Sequence, residues 1–74
     1  GLNRAFFYAG ADSLISSLWR VSDVASAITM KRFYRYLAEG YGRAAALRRA
    51  QLLVKEFFDH PAYWAPFKLI GARQ

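Results

Sequence analysis

Apolar and polar positions change their spacing several times along this chain, and each change marks a predicted element. Leu2, Ala5, Phe6 and Ala9 recur at intervals of three and four, which puts them on one helical face, and Gly10 then supplies a helix-ending residue. The spacing therefore predicts a short helix over residues 2–9. Residues 13–19, SLISSLW, are apolar on both parities, bounded by the turn-like GAD, and too short for a typical helix. They read as a central strand buried on both faces, as in a parallel sheet.

A polar step, Ser22-Asp23, follows, and either side chain can cap a helix by accepting N–H groups that lack partners at its start. In that helix Ala27, Met30, Tyr34 and Leu37 share one face, widened by Val24, Ile28 and Phe33, while Lys31, Arg32 and Arg35 lie largely elsewhere. Glu39-Gly40 ends it, with Gly40 suited to the left-handed conformation. A second helix is predicted over residues 42–58, with Ala46, Leu47, Ala50, Leu53, Val54, Phe57 and Phe58 on its apolar stripe. His60-Pro61 stops it, because proline cannot donate to the helical ladder and restricts the residue before it. The run Phe67-Lys68-Leu69-Ile70 reads as a final strand, with Pro66 at its start or edge and Gly71 after it.

The predicted order is helix, strand, helix, helix, strand, an α/β unit whose two strands make an incomplete sheet. Composition sharpens that picture. Thirteen of the 74 residues are aromatic (six Phe, five Tyr, two Trp), more than so small a unit encloses easily. Missing neighbours are expected, and the chain, which opens on Gly1 within an apolar pattern, reads as part of something longer. No apolar run reaches the ~18 residues of a membrane helix, so a soluble cytoplasmic protein with no membrane partner is the expectation.

Charge and chemistry narrow the function. The formal net charge is +6, but the eleven Lys and Arg residues are spread over the whole chain. Only Lys31-Arg32 and Arg48-Arg49 are adjacent basic pairs, both on predicted helix surfaces, so nucleic acid is the weakest of the partners considered. There is no cysteine, which removes a disulfide framework, a thiolate metal site and a cysteine nucleophile from these residues. One histidine and five scattered carboxylates predict no metal site. No glycine cradle for phosphate is present and no cofactor is implied. His60, beside Pro61, is expected to end a helix and bond a nearby carbonyl rather than to catalyse. No catalytic residue is therefore assigned within this segment.

Asp23 is the candidate that remains. On the parallel-strand reading, RVSD emerges at a strand's carboxyl end, the edge where α/β sheets bind ligands. A carboxylate there can hold a cationic group through a charge-assisted bond, and Trp19 can wall the pocket.

GLNRAFFYAGADSLISSLWRVSD, MKRFYRYLAEGYGRAAALRRAQ and HPAYWAPFKLIG, in that order, resemble the C-terminal portion of a CHAT domain, a caspase-like cysteine peptidase domain related to separases and often found with tetratricopeptide repeats. The resemblance covers nearly all of residues 1–74 as part of a single domain. It implies a caspase-like sandwich whose catalytic His and Cys lie upstream of this segment. By position it also implies that Asp23 helps form the pocket for a basic residue before the cleaved bond, with Trp19 as the tryptophan of that motif. Many family members have proline where this chain has Arg20, which puts a positive charge near Asp23.

The leading expectation is a segment that lacks the catalytic pair but contributes sheet and substrate-cleft residues to the upstream part of a CHAT peptidase acting on a peptide or protein. A tetratricopeptide repeat region is the expected further neighbour. The alternatives are a non-catalytic interaction module of CHAT-like fold and a small basic nucleic-acid binder.

Overall fold

The computed structural model describes residues 6–10 and 12–71. Its elements run β1 (Phe6–Tyr8), β2 (Leu14–Ser17), α1 (Asp23–Ala38), α2 (Arg43–Phe57), α3 (Pro61–Trp64) and β3 (Phe67–Ile70). Among the described residues they form a small α/β unit with one antiparallel sheet in the order β1-β2-β3.

The predicted helix over residues 2–9 is corrected where it can be compared. Residues 2–5 lie outside the described residues, and Phe6–Tyr8 is a strand paired Phe6↔Ser16, Phe7↔Ile15 and Tyr8↔Leu14. Three successive aromatics favour a pleated surface. Gly10, at φ +132°, turns the chain, and the Ala9 N–H donates to the Ser13 carbonyl at 3.2 Å. The helical spacing of Leu2, Phe6 and Ala9 could not register this pairing partner six to ten residues away.

β2 is central, as expected, but shorter than residues 13–19 and exposed at Leu14. The parallel sheet is the second correction, since β2 runs antiparallel to both neighbours. Helix count explains it. The chain leaves β2 at Ser17, travels out along α1 and returns along α2, so it re-enters the sheet at the end it left. Ser17 pairs with Phe67, and the Leu18 N–H donates to the Pro66 carbonyl at 2.8 Å. A single crossover helix would have delivered the chain to the opposite end and allowed a parallel strand.

Ser22 caps α1: its hydroxyl oxygen accepts the Ala25 N–H at 3.1 Å. At the other end Gly40 has φ +102° and donates to Leu37, while Tyr41 donates to Tyr36. This is a Schellman closure, and the Tyr36 and Tyr41 rings meet edge to face at 5.7 Å across it. The buried face is Ala25, Thr29, Met30 and Phe33, with Tyr36 and Leu37 packed beside it. The expected face is thus rotated: Ala27, Val24 and Tyr34 are exposed. A helix this rich in apolar residues offers more than one stripe at spacings of three and four, and packing selects among them. Tyr34 is used at the margin, where its hydroxyl donates to the Tyr8 carbonyl and ties α1 to β1.

α2 buries Ala46, Leu47, Ala50 and Val54, but Leu53 is only half-buried and Phe57 is 69% exposed. Ala25, Ala46 and Ala50, all fully buried, keep the α1–α2 contact free of bulk. The core between helices and sheet gathers Ala9, Ile15, Met30, Phe33, Leu47 and Phe67.

His60-Pro61 both ends one helix and starts another. Pro61 occupies the first position of α3, where a missing N–H costs nothing, and His60 Nδ1 accepts the Ala62 N–H at 3.1 Å. His60 thus serves α3 as its N-cap. Gln51, which the sequence pattern did not single out, donates from Nε2 to the carbonyls of Trp64 at 2.8 Å and Phe67 at 3.3 Å. It fastens α2 to the α3–β3 turn.

Candidate functional site

The two residues singled out for substrate binding lie on the connection from β2 to α1. Backbone pairing carries the chain out of the sheet at Leu18, and Val21 packs on the core. Between these anchors, Trp19 and Arg20 are left at the surface. Trp19 is 39% exposed, and its Nε1 donates to the Ala62 carbonyl at 3.1 Å. One edge of the indole is thereby held against α3 while part of the ring stays open. The side chain is fixed at the surface rather than enclosed in the core.

Asp23 is the first residue of α1 and is exposed. Since Ser22 supplies the cap, the Asp23 carboxylate is not needed for that bond. It stands at the positive end of the helix macrodipole, where an anion is favoured. Among the described residues it makes no ion pair, and none links it to Arg20. Two carboxylate oxygens on a rigid first turn can accept a guanidinium or ammonium group from solvent.

The sheet direction removes the parallel-strand edge on which Asp23 was expected to sit. RVSD does follow the carboxyl end of β2, but the described neighbours of β2 are antiparallel, so no edge of parallel strands is formed by them. What fixes the two candidate residues is the Ser22 cap of α1 for Asp23 and the bond to α3 for Trp19. Sequence reasoning missed α3 as the support of Trp19, although a helix-start signal was present in proline at a first helical position. His60 turns its Nδ1 to the start of α3, where it accepts the Ala62 N–H. Among the described residues no group of three or more metal-ligating side chains converges.

Comparison with known proteins supplies the identity that geometry leaves open. The family model of the CHAT domain matches residues 1–72. The chain belongs to the CHAT domain family. Similar curated proteins are tetratricopeptide repeat protein 28 of Homo sapiens, 42% identical over 73 residues, and its namesake of Mus musculus, 40% identical over 73 residues. Each alignment takes in 96% of this chain, and the chain spans about 3% of the length of either relative. No solved structure matches it. This CHAT chain therefore has its counterpart inside very long repeat proteins. No helix among its described residues is long and apolar enough to cross a membrane.

Proposed function

We propose that residues 1–74 form the C-terminal part of a single caspase-like CHAT cysteine peptidase domain in a cytoplasmic protein that also carries tetratricopeptide repeats. The segment completes the sheet and contributes substrate-cleft residues to a His and a Cys located upstream. In the reaction, the cysteine thiolate attacks a peptide carbonyl carbon, and the amine departs with a proton from the histidine. Water then hydrolyses the thioester and restores the thiol. Asp23 accepts the cationic side chain before the cleaved bond, and Trp19 lines its path.

The observation that carries this reading is an exposed Asp23 on a capped first turn, without an ion pair among the described residues, on the same β2–α1 connection as an anchored, half-open Trp19. The sheet adds support. α1 and α2 cover one face, while the other shows Phe6, Tyr8, Leu14 and Ile70, all more than 40% exposed. An apolar face of this kind fits a segment built to pack on further chain.

The test uses the full-length protein on peptides with Arg or Lys before the scissile bond, with and without iodoacetamide. Cleavage that alkylation abolishes is the expected result. No cleavage, together with no upstream His and Cys at the ends of successive strands, would overturn the peptidase and leave the interaction module.

A further inference from the structure

On the outer side of the helix pair, α1 and α2 frame a groove of about 310 Å³. Ile28, Lys31, Arg32 and Arg35 of α1 form one wall, and Leu53 and Phe57 of α2 the other. The α1 residues follow the i, i+3, i+4, i+7 spacing of a single face. At ~100° per residue, Arg35 lies about 200° around the helix from Phe33, which is fully buried toward the sheet. The groove thus opens away from the sheet and contains neither Asp23 nor Trp19.

Its chemistry is mixed in a specific way. Half-buried Ile28 and Leu53 and the exposed Phe57 give an apolar floor, and three cations stand along one side. No carboxylate lines it. Arg35 is partly engaged by Glu39 one turn away, at 3.5 Å between exposed side chains, which contributes little. Lys31 and Arg32 form no ion pair among the described residues.

We infer that this groove docks an acidic amphipathic helix of another protein segment, whose apolar side chains enter between Ile28, Leu53 and Phe57 while flanking carboxylates meet Lys31 and Arg32. Charge complementarity selects the occupant: the charged side chains of the lining, Lys31, Arg32 and Arg35, are all cations, in a chain of net charge +6. Ile28 to Arg35 is about two helical turns, roughly 10 Å, so two to three turns of a partner suffice. A nucleic acid or an anionic membrane would also meet the cations. A phosphate backbone, however, has no use for the apolar floor, whereas an amphipathic helix satisfies both.

The full-length protein is titrated by fluorescence anisotropy with a labelled synthetic helix carrying Leu and Phe on one face and flanking Glu residues. Its Glu-to-Gln and Glu-to-Lys analogues, a single-stranded oligonucleotide and phosphatidylserine vesicles form the other arms. The Glu peptide is expected to bind, and Lys31→Glu with Arg32→Glu to weaken it about tenfold or more, the size of two screened pairs turned repulsive. The same double variant is expected to bind the Glu-to-Lys peptide instead, which also demonstrates that it is folded. Phe57→Ala is expected to weaken the Glu peptide without moving the melting temperature. No binding of the Glu peptide, equal binding by the double variant, or tighter binding of the oligonucleotide or vesicles overturns the inference. Peptidase activity is not the readout, so failure here leaves the proposed function standing.

Discussion

Replacing Asp23 by asparagine separates a recognition carboxylate from a structural one, because the fold has given the capping task to its neighbour. Ser22 Oγ accepts the Ala25 N–H at 3.1 Å, and Asp23 contributes to α1 only through its charge near the helix start. That charge is worth about 0.3–1 kcal/mol at low ionic strength and less once salt screens it. Asp23→Asn keeps the side-chain shape and leaves the Ser22 bond intact, so the melting temperature of the full-length protein is expected to change little. On the proposed function, the cost is expected to fall on substrate. A hydrogen bond to a charged group is worth about 1.5–3 kcal/mol, which lowers kcat/KM by about ten- to a hundredfold. This loss is expected for peptides with Arg or Lys before the cleaved bond, with peptides carrying Leu or Gln there unaffected. Ser22→Ala is the mirror image: about 1 kcal/mol less stable through loss of the cap, with the ratio between substrates unchanged. The assay is a matched set of peptide kinetics plus thermal unfolding of both variants. An equal loss on every substrate after Asp23→Asn, accompanied by a lower melting temperature, would refute the recognition role and make Asp23 a helix-stabilising charge only.

Two further outcomes follow from packing. Phe33 is fully buried at the centre of the core, so Phe33→Ala is expected to cost about 3–5 kcal/mol in urea denaturation, and a loss below about 1 kcal/mol would contradict its placement. The open sheet face places Tyr8, Leu14 and Ile70 in one cross-strand row, so the isolated chain is expected to self-associate in sedimentation velocity. Leu14→Lys with Ile70→Lys would weaken that association tenfold or more, since burying each side chain is worth on the order of 1.5 kcal/mol, and unchanged association would reject the face as the cause.

How much of the site was legible in advance differs between its two residues. Ser22-Asp23 before an apolar periodic run announced a helix start, and a cap acts through bonds within a few residues, so sequence order carries the information. What Asp23 faces depends on strand direction, which does not. Trp19 is set by its bond to the Ala62 carbonyl, 43 residues away, and no local pattern encodes that partner.

The same division runs through the fold. Sequence alone determined α1 and α2 almost to the residue, the ends of α1 at Ser22 and Gly40, and the positions of β2 and β3. These follow from 3.6-residue periodicity, capping side chains and the conformational freedom of glycine, all interactions of short range. Tertiary structure decided that Phe6–Tyr8 pairs as a strand, that the sheet is antiparallel, and which stripe of α1 turns inward. Phe6, Phe7 and Tyr8 suit either a helix or a strand until Ser16, Ile15 and Leu14 come alongside. The sheet direction depends on two helices returning the chain to the end it left. Burial of Ala25 and Thr29 instead of Ala27 and Tyr34 depends on the shape of the surface they meet.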